Sequence, residues 1–273
     1  MMKLFVLLGV ALALLLSSTA AGSRYTSIDA ADDEEVVGKV LADPLVGTKL
    51  GTVRERFCAE LSDGAEGQAS EALKWIEDQT RTLESGHFLT GHLPASVLQT
   101  LVMLQKAKRV LEIGSYTGYS AVAMAAAGAE VTTIDSFEGD SSSKGILLEG
   151  IRRSGLPVKL EEGKALDVLA RLEKDGSARF DFVFIDADKS QQIDYYEFLM
   201  GHPRLLSPDG AICVDNTLWY SRVLNPSVLA GDEVTQAIMA FNRHVREDPR
   251  SFVTVIPLRD GLTVIQRRRQ EAQ

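Results

Sequence analysis

From Arg109 onward the chain alternates short apolar runs with stretches of helical periodicity. The apolar runs, Arg109 to Ile113, Glu130 to Ile134, Val158 to Glu161, Phe180 to Ile185 and Ala211 to Val214, have the length of strands. Between them, Gly118 to Ala127 and Ala165 to Lys174 read as helices. Strands alternating with helices in this way predict a mostly parallel sheet covered on both faces, a doubly wound Rossmann-like α/β fold. Upstream, helical spacing recurs in Val53 to Leu61, Ser70 to Leu83 and Ser96 to Lys108, the last with a stripe of Val97, Leu98, Leu101, Val102 and Leu104. The end of the chain breaks the rhythm. Phe252 to Ile256 and Leu262 to Gln266 are β-rich and separated only by Pro257 to Gly261, whose Asp260-Gly261 pair is a turn signal. That spacing predicts an antiparallel hairpin closing one side of the parallel sheet.

With 273 residues, 45% of them hydrophobic, the chain can bury a sizeable core, and residues 46–273 read as one α/β domain. Residues 22–45 are polar and acidic, with Asp32 to Glu35 as a carboxylate run, and read as a linker. Residues 1–21 carry an early lysine, an apolar run from Leu4 to Leu16 broken only by Gly9, and small residues beyond it. That is the pattern of a secretory signal peptide cleaved near Ala20 or Ala21, and the run is shorter than the roughly 20 residues of a spanning helix. The expected destination is the secretory pathway or the exterior. The alternatives are an organelle reached by that route and a retained signal anchor.

A net charge of −9 argues against a general nucleic-acid or anionic-membrane binder, which needs a positive footprint. The basic run Arg267 to Arg269 reads as a solvated tail. Two cysteines make no disulfide framework: Cys213 lies in an apolar run and Cys58 in an expected helix. The four histidines, His87, His92, His202 and His244, have no ligand spacing and read as structural or surface residues.

The first strand runs into VLEIGSYTGYS, from Val110 to Ser120. Gly114 and Gly118 permit a tight strand-to-helix turn and a close approach of ligand to backbone. The Gly-x-x-x-Gly spacing is not the dinucleotide fingerprint. Glu112, a carboxylate at the end of a buried strand, would repel a pyrophosphate but suits the cationic amino group of S-adenosylmethionine. Asp135 closes the second strand, where an acidic side chain can bind ribose hydroxyls. Gly163 and Ala165 follow the third strand and leave room for an adenine ring.

The fourth strand ends in Asp186-Ala187-Asp188-Lys189 and the fifth in Asp215-Asn216-Thr217. Ligands of open α/β sheets gather at the carboxyl ends of strands, so both clusters should face one crevice. Asp186, Asp215 and Asn216 then form an all-oxygen set that suits Mg²⁺ or another divalent cation.

Val110 to Ser120, Phe182 to Lys189, Asp215 to Trp219 and Pro257 to Thr263 together resemble the cation-dependent O-methyltransferases, the family of caffeoyl-coenzyme A and catechol O-methyltransferases. The resemblance covers roughly residues 88–266. It implies that Thr90, Glu112, Gly114, Ser115, Tyr116, Ser120, Asp135, Ala165 and Asp188 contact S-adenosylmethionine. It implies metal ligation by Asp186, Asp215 and Asn216, catalysis by Lys189 and Asp186, a small phenolic acceptor without nucleic acid, and a homodimer. Trp219 and Tyr220 either wall an aromatic acceptor or pack. The chain departs from the family in the stretch Thr90 to Ser96, in added length around Gly201 to Pro203, and in its N-terminal region. Rival readings are a transfer-RNA hydroxyuridine methyltransferase, a non-catalytic S-adenosylmethionine-binding protein and a nicotinamide dehydrogenase. Negative charge opposes the first, the complete Asp186, Lys189, Asp215 and Asn216 set the second, and the glycine spacing with Glu112 the third.

Overall fold

The computed structural model describes residues 57–138, 140–176, 178–225 and 231–268. The apolar run at 4–16, the acidic stretch at 22–45 and the start of the helix expected at Val53 lie outside the described residues, while 57–61 are helical.

Helices α1 (Gly67–Thr80) and α2 (His92–Leu104) precede strand β1 (Arg109–Ile113). There follow α3 (Tyr119–Ala126), β2 (Glu130–Asp135), α4 (Ser141–Ser154), β3 (Val158–Glu162) and α5 (Ala165–Asp175). The chain continues through β4 (Phe180–Ile185), α6 (Gln192–Gly201), β5 (Leu206–Asp215), α7 (Glu233–Glu247), β6 (Ser251–Ile256) and β7 (Leu262–Arg267). The seven strands make one sheet in the order β3-β2-β1-β4-β5-β7-β6. β1 to β5 pair in parallel; β7 runs antiparallel between β5 and the edge strand β6. The doubly wound sheet and its terminal hairpin are therefore both present.

Element ends differ from the sequence expectation for local reasons. Helix α2 starts at His92 and not Ser96, because Pro94 falls in the first turn, where a missing N–H costs no helical bond. Strand β5 starts at Leu206 and not Ala211, since Leu206 pairs with Phe180 across an irregularity that precedes Phe182.

Alternate residues of the strands feed two cores. Leu111, Ile113, Val183, Ile185, Ile212 and Val214 meet Leu169, Tyr196 and Phe241 from α5, α6 and α7. Val110, Phe182, Phe184 and Cys213 meet Leu98 and Val102 of α2 and Met124 of α3. Residues Tyr119 to Ala125 of α3 are all buried, which its small alanines permit in a helix enclosed on every side. Glu112 belongs to this second face by alternation, so a carboxylate stands in an apolar layer.

The sheet changes winding direction between β1 and β4, and there the backbones come closest. Asp186 N donates to Ile113 O at 2.8 Å, and Gly114 N donates to Ile134 O at 2.9 Å, extending both ladders past the strands. Gly114 holds φ +99°, and a Cβ there would lie 2.1 Å from the Asp186 carbonyl oxygen. Gly128 shares the left-handed backbone, at φ +92°, but faces no atom within 4 Å. Gly128→Ala should therefore cost about 1–2 kcal/mol, the backbone penalty alone. Gly114→Ala should cost more than about 4 kcal/mol or abolish folding. Thermal unfolding of the pair checks this; equal losses would show that the close approach is not rigid.

Candidate active site

A cavity of about 490 Å³ opens at the carboxyl ends of β1, β2 and β4. Its lining includes Gly114, Tyr116, Asp135, Ala165, Asp186 and Asp188 among the residues expected at the cofactor or metal, together with Gln191 and Tyr195. A larger depression of about 590 Å³ lies at the opposite end of the sheet, lined by Arg109, Lys159, Glu161 and Arg171 among others. There Glu161 already pairs with Lys159 at 2.5 Å and Arg171 at 2.7 Å. The sheet topology and the charge arrangement both favour the first cavity.

Glu112 is fully buried. Its register partner on β2 is Thr133, whose hydroxyl donates to one carboxylate oxygen at 2.5 Å, while Ser120 of α3 donates to the other at 2.5 Å. Ser115 and Thr133 share a further hydroxyl contact of 2.5 Å. Burial outweighs these donors and pushes the Glu112 carboxyl up to about 8. Ser120, expected at the cofactor, thus spends its hydroxyl on Glu112, and Ser115 is buried beside it. Neither they nor Glu112 line the cavity.

Asp135 fixes the turn after β1. Its carboxylate accepts from Ser115 N at 2.9 Å, Tyr116 N at 3.0 Å and Phe137 N at 3.0 Å. A carboxylate offers about four acceptor positions, so capacity for a ligand hydroxyl remains. Tyr116, at φ +47°, stands on the cavity wall and shares a hydrogen bond of 2.9 Å with Ser85. Phe88 meets its ring edge-on at 6.3 Å.

Asp186 and Asp215 end adjacent strands. Lys189 Nζ donates to Asp186 Oδ1 at 2.8 Å, with only 13% of the lysine side chain exposed. Burial and the neighbouring Asp186 charge push the Asp215 carboxyl up to about 7, against the pull of Lys189. Asn216 follows at φ +63°, its N–H donating to Asp215 Oδ1 at 2.8 Å. Among the described residues, no three His, Cys, Asp or Glu side chains form a possible metal cage. The candidate set is two carboxylates and an amide. Two close carboxylates, one resisting ionisation, form a site that a cation would relieve. Asp188 lines the cavity, but its carboxylate caps the turn Lys189–Gln191. Burial raises it, and the donors Ser190 N at 2.9 Å, Ser190 Oγ at 2.8 Å and Gln191 Nε2 at 3.0 Å bring it below the usual carboxylate range.

Sequence reasoning missed several supports. Gln192 is fully buried and donates to the Asp215 carbonyl at 3.3 Å. Thr217 is held by Asn242 Nδ2 at 2.7 Å on its carbonyl and by Thr263 Oγ1 at 2.8 Å on its hydroxyl. Thr90 lies away from the cavity lining, its carbonyl bonded to Arg259 at 2.6 Å. No spacing in the chain announces these pairs, which arise from distant segments. The histidines fall where expected. His92 contacts the Ser62 carbonyl at 3.0 Å, His202 the Phe198 carbonyl at 2.6 Å and His244 the Glu197 carboxylate at 2.6 Å.

The sequence profile of the O-methyltransferase family matches residues 63–268. Caffeoyl-CoA O-methyltransferase 2 of Populus trichocarpa is 34% identical over 72% of this chain and 82% of its own length. A caffeoyl-CoA O-methyltransferase 2 of Zea mays is 35% identical over 72% of this chain and 76% of its own. Among solved structures, the O-methyltransferase TomG of Streptomyces achromogenes, crystallised with S-adenosylmethionine, superposes with a TM-score of 0.67 at 26% identity. That match covers 79% of this chain and 96% of TomG. The Bacillus cereus O-methyltransferase, crystallised with S-adenosylhomocysteine, gives 0.66 at 26% identity over 79% of this chain and 97% of that one. The matched region holds the whole sheet, the cavity and both acidic strand ends, and the chain belongs to the O-methyltransferase family.

Proposed function

We propose that this O-methyltransferase takes its methyl group from S-adenosylmethionine and delivers it to a hydroxyl of a small catechol-like or phenylpropanoid acceptor. A divalent cation, Mg²⁺ or a similar ion, would be held by Asp186, Asp215 and Asn216. The observation that carries this reading is the meeting of two acidic strand ends, with Lys189 paired to one of them, beside the cavity behind the glycine turn. The names of the relatives, caffeoyl-CoA O-methyltransferases, support a phenolic acceptor.

S-adenosylmethionine would supply an electrophilic methyl, and a divalent cation held by Asp186, Asp215 and Asn216 would lower a bound phenol's pKa from its usual value of about 10. The chain's residues do the rest. Gly114 and Tyr116 shape the wall on the donor side, and Asp135 holds that turn. Lys189, which pairs with Asp186 at 2.8 Å and is mostly buried, would turn to the acceptor hydroxyl once a cation held Asp186. Lys189 then takes the hydroxyl proton as the oxygen attacks the methyl carbon and the carbon–sulfur bond breaks. Trp219 and Tyr220, with ring centroids 5.3 Å apart beyond Asn216, offer a wall to an aromatic acceptor. Homodimer formation, and entry to the secretory route through residues 1–21, complete the reading.

Glu112 ties donor binding to pH. Its folded carboxyl keeps a proton that an exposed glutamate loses, so the stability of the ligand-free protein should fall as pH rises from about 4.5 to about 8. Asp215 adds the same sign up to about 7. A cationic donor favours the ionised form, and its affinity should rise with pH over that window. Glu112→Gln copies the protonated carboxyl's shape. It should remove Glu112's share of the stability slope, weaken S-adenosylmethionine binding and flatten the pH dependence. Unfolding across pH and titration calorimetry test this; unchanged affinity would remove Glu112 from the donor site.

Turnover should stop in excess chelator and return with Mg²⁺ or Mn²⁺. Asp215→Ala should lose turnover while still binding S-adenosylmethionine. Full activity in chelator would sink the metal assignment.

Lys189→Ala should lower kcat by about 10² to 10⁴-fold with little change in donor affinity. The defect should shrink at high pH or with an acidic acceptor such as a nitrocatechol, because an ionised phenol needs no base. Near-normal turnover of a weakly acidic catechol by the alanine variant at neutral pH would make Lys189 structural.

A further inference from the structure

The turn between β6 and β7 holds two separate segments at once. On one side, Asp260 O accepts from Leu218 N at 2.7 Å and Trp219 N at 3.2 Å, and Gly261 O accepts from Thr217 N at 3.2 Å. These amides directly follow Asp215 and Asn216. On the other side, the Arg259 guanidinium donates through Nη1 to Leu89 O at 3.0 Å and to Thr90 O at 2.6 Å. Arg259 sits at φ +46°, a left-handed backbone that disfavours a side chain. The segment it grips enters helix α2, whose N-cap Gly91 lies at φ +78°. Farther back, the same segment is tied to the cavity wall by Ser85 and Tyr116, 2.9 Å apart. Leu89 is buried against the core that contains Tyr119 and Val122 of α3.

We propose that Arg259 is a positioning residue that latches the Ser85–Gly91 segment to the hairpin turn, so that the donor and acceptor sides of the cleft are held as one unit. The proposal rests on the donor site described above. Two consecutive carbonyls are bridged by one rigid, always-charged group, which a single ammonium on a flexible stem would hold less well. Through Tyr116 the latched segment bears on the donor cavity, and through Asp260 and Gly261 the same turn bears on the loop after Asn216. Loss of the latch should therefore act on donor retention before it acts on the chemical step.

The test uses the full chain with S-adenosylhomocysteine as the probe. Arg259→Gly removes the guanidinium and relieves the left-handed backbone, so its melting temperature should equal or exceed that of the wild type. Its S-adenosylhomocysteine affinity should fall about tenfold and its KM for S-adenosylmethionine should rise similarly, with kcat within about twofold of wild type. Amide hydrogen exchange in the peptide spanning 85–92 should quicken in the absence of ligand. Arg259→Lys should recover part of the affinity. Wild-type affinity together with wild-type exchange at 85–92 in Arg259→Gly would overturn the latch. If the glycine variant unfolds, affinity and exchange are measured on Arg259→Gln: losses in both support the latch, and wild-type values in both overturn it. Failure of the wild-type protein to bind S-adenosylhomocysteine would refute the donor assignment instead, and the exchange measurement, which needs no ligand, would still decide the latch.

Discussion

The arrangement of the cleft depends on one close approach, that of Gly114 to the Asp186 carbonyl at the point where the sheet reverses its winding. With no Cβ at Gly114, β1 and β4 can continue their ladder past the last strand residues, through Asp186 N and Ile113 O. The glycine turn therefore leaves the sheet directly beside the first acidic strand end. A methyl transfer needs donor carbon, acceptor oxygen and base within a few ångströms and nearly in line, and positioning of this kind can supply much of the rate. The topology sets the glycine turn and the acidic strand ends side by side before any ligand binds.

A second constraint is electrostatic. Burial raises the Glu112 and Asp215 carboxyls, and the nearby Asp186 charge raises both further. Lys189 answers them with an ion pair to Asp186 at the strand ends. Two buried carboxyls that resist ionisation and the Asp186 carboxylate face the Lys189 ammonium, with the Arg259 charge also acting on Asp215. Bound positive charge, whether a cationic donor or a divalent cation, would relieve both carboxyls.

What could be read from the chain and what could not divide along physical lines. Strands, the terminal hairpin and the acidic strand ends were legible because each is encoded locally, by apolar run length, by Asp260-Gly261, or by acidic residues directly after an apolar run. Glu112 stood out as a carboxylate inside an apolar strand. Its partners did not, since Thr133 and Ser120 meet it only through sheet register and the approach of α3. The same holds for Gln192 beneath Asp215 and for Arg259 on Leu89 and Thr90, whose contacts join segments far apart in sequence. Element ends moved where a proline or a strand irregularity changed the local rule, as at His92 and Leu206. The readings at 1–21 and 22–45 fall outside the described residues.

The hairpin explains how an otherwise plain Rossmann-like sheet can carry a strained loop beside its chemistry. Asn216, Trp219, Tyr220 and Ser221 all have positive φ, between 45° and 63°. Such conformations persist only when the surroundings over-determine them. β7 supplies that constraint by pairing along β5 from Ala211 to Asp215, and the turn before it takes up the amides of Thr217, Leu218 and Trp219. Gly261 allows the approach, since a Cβ there would lie 2.5 Å from Leu218 Cγ. Buried Thr263 and part-exposed Asn242 then hold Thr217 from below. Asn216 and the aromatic pair Trp219 and Tyr220 are thus aimed by a rigid antiparallel frame. The loop can change its side chains while the strand that carries Asp215 stays fixed.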